Sequence, residues 1–502
     1  MRKNSSHINN GVYIYFMEKI YWVLTTTIFV MDLAIRIGLS LRVIMRKRSP
    51  SVSLAWLVIV LLLPFAGAII YLLFGETRIG ERRAIKLLAQ KPLVQQWTKS
   101  LYQRVKVDWN GINPECIPID RQVNATIGIP TMPDNDLELF STSDLFFSAL
   151  IEDINKAQSS CFLEFYIYTE GGLADEVSIA LIQAQERGVT CRLLLDSIGS
   201  RDFLRSQRAK RMQLAGIEIV EALPAGLFRA LFVRIDLRNH RKIAIIDGSI
   251  AYTGSHNLTD PKFFKQDHGI GEWVDTMVRI RGPVVEIITA AFIYDWILDS
   301  QQDLEDISSS SEITPNPPAG NALVQLVPSG PGLAEDTLHN LLLTTIYAAR
   351  SELLLTTPYF VPDNAILAAL RSAAQKGVRV TIIIPERNDS KLVHYASRAR
   401  LGILIKAGVR IMAFSGGLLH AKTITVDRDF CLFGSVNLDM RSFWLNFEMT
   451  LCVYDKEFTQ HVRKLQHCYL TQSRRISPDD LTRRSFFERL KENTALLVSP
   501  LL

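Results

Sequence analysis

Two long apolar runs open the chain, and short ones of a different period follow. Residues 20–41 and 54–73 each hold about 20 residues, enough for one bilayer crossing. The second, Leu54 to Leu73, carries no charge; Pro64 and Gly67 interrupt it, and Trp56 and Tyr71 sit near its ends, where aromatic rings favour a membrane interface. The first contains Asp32 and Arg36, whose spacing lets them pair on one helix face. It is too long for a cleaved signal peptide and no small-residue cleavage site follows. The pattern therefore predicts an N-terminal transmembrane hairpin within residues 1–85 and a connecting segment over 86–134. Basic residues flank both runs on both sides, so charge leaves the orientation open.

From about Asn135 the period changes to alternating helix and strand. A helix over 145–157 leads to an apolar strand over 161–168, a helix closed by Gly188, and a strand over 190–196; helix 338–350, strand 353–360, a helix closed by Gly377 and strand 378–384 repeat the order. Glycine ending a helix just before a β-branched run is the expected junction. The alternation predicts an α/β fold with a sheet buried on both faces. Residues 308–320 are Ser- and Pro-rich and predict a linker between a first half, 135–307, and a second, 321–502.

Composition adds limits. At 502 residues, 48 % hydrophobic and a formal charge of +5, the chain can bury large cores but lacks the basic field of a nucleic-acid binder. The six cysteines form no CxxC pair, and Cys161, Cys191, Cys431 and Cys452 lie in or beside apolar runs, as small core residues do.

The candidate chemistry is a string that occurs twice, 180 positions apart. His240, Lys242, Asp247, Gly254, Ser255 and Asn257 match His420, Lys422, Asp427, Gly434, Ser435 and Asn437, while the apolar residues between them vary. A lone strand histidine is ordinarily structural, but core packing does not fix six polar or glycine positions in register. On a strand, His and Lys two apart project from one face. Two such sets brought together would offer two imidazoles and two fixed cations. That suits phosphoryl transfer: lysines with Asn and Ser donors hold the phosphoryl oxygens, one histidine attacks phosphorus and the other serves as acid and then base. The lysines supply the charge, so no metal and no cofactor is expected.

The doubled HxKxxxxD–GSxN string resembles the phospholipase D superfamily from residue 135 onward. The segments Arg238–Lys242, Tyr252–Ser255, Trp273–Asp275 and Val436–Ser442 with Asn446–Glu448, together with Trp56–Gly75, are similar to bacterial cardiolipin synthases. The resemblance implies two similar α/β/α halves packed as a pseudo-dimer. It implies transfer of a phosphatidyl group from one phosphatidylglycerol through a phosphohistidine to a second, giving cardiolipin and glycerol in a bacterial inner membrane. By that resemblance His240 is the nucleophile and His420 the acid and base. Lys242 and Lys422 clamp the phosphate, Ser255, Asn257, Ser435 and Asn437 bond it or its neighbours, and Asp247 and Asp427 orient the imidazoles. Asp275 and Glu448 occupy matching places after the two Asn residues and are candidate supporting carboxylates, with a surface role as the alternative; His256 has no counterpart, since Val436 replaces it. A membrane-bound phospholipase D using water or another alcohol is the rival activity. A nuclease and a non-catalytic lipid-binding scaffold are weaker ones.

Overall fold

The computed structural model describes residues 5–46, 50–224, 233–264, 269–300, 302, 313–334, 336–482 and 484–497. It comprises two compact units, Met1–Gly80 with Ala225–Asp236, and Glu81–Pro224 with Leu237–Leu502.

In the first unit, helix Ser5–Met45 extends the first apolar run at both ends. The second run is not one helix: Pro50–Leu62 stops at Pro64, Phe65 turns with φ 50°, and the chain resumes as Ala66–Ile70 and a π-turn, Tyr71–Gly75. Among the described residues no helix is long and apolar enough to cross a membrane. The proline lacks an N–H and cannot continue the ladder, and the polar residues of the first run attend to the break. Asp32 accepts the Phe65 N–H (3.0 Å), Arg36 donates to the Leu61 carbonyl (2.8 Å), and the two pair with each other as their spacing predicts.

Among the described residues, the second unit carries a sheet of sixteen strands. In the first half the order is Met132–Phe140, Met277–Arg281, Ile250–Gly254, Lys242–Ile246, Ser160–Phe165, Thr190–Asp196, Glu218–Ala222. The second half repeats it with Ala322–Ser329, Asn446–Val453, Phe430–Gly434, Thr423–Val426, Glu352–Thr356, Arg379–Pro385 and Arg410–Phe414. Each half is mixed: Ser160–Phe165 runs parallel to Thr190–Asp196 and antiparallel to the lysine-bearing strand. Helices fall where the apolar period places them, at Ser143–Lys156, Leu173–Glu186, Thr337–Ala348 and Asn364–Gln375. The expected strand 353–360 ends at Thr356, because Pro358 cannot donate to a ladder.

The halves are more than packed. Met132–Phe140 pairs antiparallel with Ala322–Ser329, so one sheet runs through both. At the seam Asn135 donates to the Met132 carbonyl (2.8 Å) and accepts the Val284 N–H (2.8 Å), satisfying a bulge there. Helices Glu81–Arg104 and Cys116–Ile127 fill most of the segment expected to be a connector, and Cys116, Ile119 and Val123 join the second half's core. Of the expected linker, residues 308–312 lie outside the described residues; 313–320 carry no helix or strand. Cys161, Cys191, Cys431 and Cys452 are free and buried, in agreement with their core reading.

Candidate active site

Each motif histidine leads into its strand through a short segment that pairs with the other half. Arg238–Asn239 runs beside Asn446–Phe447, and the His240 N–H donates to the Phe447 carbonyl (2.9 Å). Leu418–Leu419 runs beside Trp273–Val274, and the His420 N–H donates to the Val274 carbonyl (2.8 Å). This exchange puts each imidazole next to a carboxylate of the opposite half. His240 Nδ1 bonds Glu448 Oε2 at 2.9 Å, and His420 Nδ1 bonds Asp275 Oδ1 at 2.7 Å. Asp275 and Glu448 are thus buried partners of the histidines, and the surface alternative is ruled out.

The serines hold those carboxylates. Ser255 Oγ donates to Asp275 and Ser435 Oγ donates to Glu448, both at 2.6 Å, while each Oγ accepts a backbone N–H, of Thr276 or Met449. With its one proton committed to a carboxylate, neither hydroxyl has a hydrogen left for a phosphate; of the expected roles, bonding the phosphate or its neighbours, this geometry matches the second. The glycines make the approach possible: a Cβ on Gly254 would stand 2.4 Å from the Thr276 carbonyl oxygen and one on Gly434 2.1 Å from that of Met449. Asn257 and Asn437 are buried; Asn257 Oδ1 accepts the Ile167 N–H, and Asn437 Oδ1 has no hydrogen-bond partner.

Asp247 and Asp427 require the larger correction. Each sits at the exit of its strand with φ near 50° (52° and 51°), in the hairpin turn. Asp247 accepts the N–H groups of Gln158, Ser159 and Ser160, and Asp427 those of Arg350, Ser351 and Glu352. Six residues lie between each aspartate and its histidine, most of them extended, a path of roughly 20 Å. They tie helix end to hairpin, and the imidazoles are oriented by Asp275 and Glu448 instead. Replacing Asp427 by Ala should lower stability by about 1–3 kcal/mol through three orphaned donors and leave kcat within about twofold; urea unfolding and steady-state assays on one preparation check both.

His256 also proves structural. Its ring lies between Phe146 and Phe147 and bonds Ser143 Oγ (2.7 Å) and its neighbour's carbonyl.

The lysines donate to the carbonyl of their own histidine, Lys242 at 2.6 Å and Lys422 at 2.5 Å. Burial, opposed by Glu448 and reinforced by Lys422, brings Lys242 down to about 7; burial likewise brings Lys422 to about 7 against the pull of Asp275. Burial and the nearby lysines depress His240 to about 4 and His420 to about 3, against their carboxylate partners. Burial alone would raise the Asp275 and Glu448 carboxyls, but the facing imidazoles and lysines outweigh it and hold both below their ordinary values. At neutral pH each pair is then a carboxylate accepting Nδ1–H from a neutral imidazole, whose Nε2 lone pair is left for chemistry. Tyr166 meets the His240 ring edge-on (5.1 Å) and Trp273 lies 4.4 Å from that of His420, contacts that no sequence signal had singled out for Tyr166.

Two imidazoles, two cations and crossed carboxylates in a duplicated α/β fold define the phospholipase D class of phosphodiester-transfer sites. Comparison with known proteins places the chain more narrowly. It matches the family described as "Cardiolipin synthase, PLD-like domain" over residues 150–296 and 342–467, and that described as "Phospholipase_D-nuclease N-terminal" over 34–76. Proteins named cardiolipin synthase A from Yersinia pseudotuberculosis serotype IB (strain PB1/+) and Yersinia pestis are each 42 % identical over 474 residues, 93 % of this chain and 96 % of theirs. The phosphatidylserine synthase of Haemophilus influenzae Rd KW20 superposes with a TM-score of 0.58 at 15 % identity, over 77 % of this chain and 100 % of its own, a likeness of fold. The chain belongs to the cardiolipin synthase family of phospholipase D-like proteins.

Proposed function

We propose that the chain is a phosphatidyltransferase that makes cardiolipin and glycerol from two molecules of phosphatidylglycerol. The observation that carries the reading is the crossed pair of carboxylate–imidazole contacts, which leaves each Nε2 free of its carboxylate while each histidine feels the charge of the other half's lysine. His240 Nε2 attacks phosphorus of the first lipid; a P–N bond forms, the P–O bond to glycerol breaks, and the departing oxygen takes a proton from His420. His420 takes that proton up from solvent as the substrate binds, because the substrate's negative charge offsets the burial and the lysines that hold His420 low. In the second step a hydroxyl of another phosphatidylglycerol gives its proton to His420 as its oxygen attacks phosphorus and the P–N bond breaks. Lys242 and Lys422 hold the non-bridging oxygens, with the side chains of Asn257 and Asn437 as further polar groups for the phosphate or its neighbours.

The pH dependence follows from these groups. Protonated lysines are needed to bind the phosphodiester, so kcat/KM should fall at least tenfold per pH unit above about 7. Neutral His240 is needed to attack, so the acid limb should appear only near 4. A bound anion raises the lysine values, so kcat declines at higher pH than kcat/KM. A kcat/KM flat from pH 7 to 9 would contradict this assignment.

The N-terminal unit is proposed to hold the enzyme at the bilayer as a two-segment membrane hairpin, in keeping with an inner-membrane enzyme. Supporting this, Tyr21 and Trp22 are 71 % exposed, Phe29 67 % and Leu62 72 %, a density of exposed apolar surface that monomeric soluble proteins avoid. Residues 135–307 and 321–502 are proposed as the two catalytic halves. The test is a product assay with labelled phosphatidylglycerol. Cardiolipin with an equal amount of free glycerol supports the transferase; phosphatidic acid alone supports the hydrolase.

A further inference from the structure

Behind the His240 strand lies a buried ionic cluster that the proposed chemistry does not use. Arg241 sits between His240 and Lys242 and is only 1 % exposed. Strand alternation sends its side chain to the opposite face, where it pairs with Asp295 of helix Val284–Asp299. Its Nε donates to the Glu448 carbonyl at 3.1 Å and its Nη2 to that of Ser329 at 3.4 Å. Glu164, fully buried on the neighbouring strand, accepts from Asn239 Nδ2 at 2.7 Å, and Asn239 Oδ1 accepts the Arg241 N–H.

Two oxygens of this cluster have no donor: Glu164 Oε2 and Asp295 Oδ1, both buried. Their carboxyl groups interact directly, and burial with the charge of Asp295 pushes Glu164 well above its ordinary value, against Arg241. Two ionised carboxylates in contact beside one guanidinium would leave an uncompensated buried charge, which costs several kcal/mol. A proton between them supplies the missing donor.

Resting on the reading of His240 as nucleophile, we infer that Glu164 carries a proton and shares it in a hydrogen bond to Asp295, and that Arg241, paired with the Asp295 carboxylate, is a positioning residue that fixes Glu448 and through it His240. The arrangement belongs to one half only. Thr356 stands where Glu164 does, Leu419 where Asn239 does and Ala421 where Arg241 does. On that side a neutral Gln466 bonds Thr423 Oγ1 (2.9 Å) and Thr425 Oγ1 (2.7 Å). The two histidines carry the same motif but differ in support, and the ionically braced one is His240.

The test compares Glu164→Gln with Asp295→Asn in the full chain. A glutamine replaces a neutral acid without changing charge, so Glu164→Gln should keep kcat within about threefold. Asp295→Asn removes the carboxylate that grips the guanidinium, so that even an ionised Glu164 cannot hold Arg241 in place, and should lower kcat about 10–100-fold with KM for phosphatidylglycerol little changed. A fall in the Glu164→Gln variant as large as in Asp295→Asn would overturn the shared proton. Infrared difference spectra give an answer independent of turnover. The wild-type protein at pH 7 should show the carbonyl stretch of a protonated buried carboxylic acid, absent in Glu164→Gln. Its absence from the wild type would overturn the inference even where cardiolipin forms; its presence without cardiolipin would leave the pair standing and remove the catalytic reading.

Discussion

The His240→Ala and His420→Ala chains should both lose at least about 10³-fold in cardiolipin formation, and a better leaving group should rescue only one of them. On the proposed assignment His240 supplies the bond to phosphorus, so no substrate can bypass its loss. His420 would supply a proton to a departing alkoxide, and a nitrophenyl phosphodiester departs without one. His420→Ala should therefore release nitrophenol at close to the wild-type first-turnover rate and then stall as an acid-labile phosphohistidine, since no base remains to activate the second lipid. Mass spectrometry of peptides spanning residue 240 checks for the adduct. Rescue of His240→Ala instead would exchange the two roles.

The second large effect concerns the carboxylates. Glu448→Gln and Asp275→Asn should each lower kcat by about 10²–10⁴-fold, because each removes the acceptor that fixes an imidazole tautomer (2.9 and 2.7 Å). Their responses to the leaving group should be crossed. Glu448 lies in the second half but serves His240, so its variant should resist rescue. Asp275 lies in the first half but serves His420, so its variant should be rescued. The opposite pattern would mean that each carboxylate serves its own half, contrary to the geometry. Thermal unfolding of both variants separates loss of chemistry from loss of fold.

Much of this was legible in the sequence, for reasons that differ by element. The α/β alternation and the two halves follow from apolar period and glycine punctuation, and helices such as Ser143–Lys156 fall within two residues of expectation. The motif histidines and lysines stand out because their chemistry is repeated while their surroundings vary. The role of Asp247 was misread because a motif reports which residues recur together, and a turn cap recurs as faithfully as a catalyst. Asp275 and Glu448 were visible only as candidates: their partners lie 145 and 208 residues away in sequence, and no local period encodes that pairing. The seam strand Met132–Phe140 was missed because Pro133 and the acidic Asp134, Asp136 and Glu138 hide its alternation. In the second apolar run Pro64 and Gly67 marked an interruption, but the sequence does not tell a kink in one helix from the full break that Phe65 makes.

The crossed contacts also set an order of events during synthesis. His240 leaves the ribosome 208 residues before Glu448, an interval on the order of 10–40 s at ordinary elongation rates. Throughout that time the growing chain holds the proposed nucleophile with no carboxylate to set its tautomer. On that assignment competence arrives only when the last strands of the second half close the sheet.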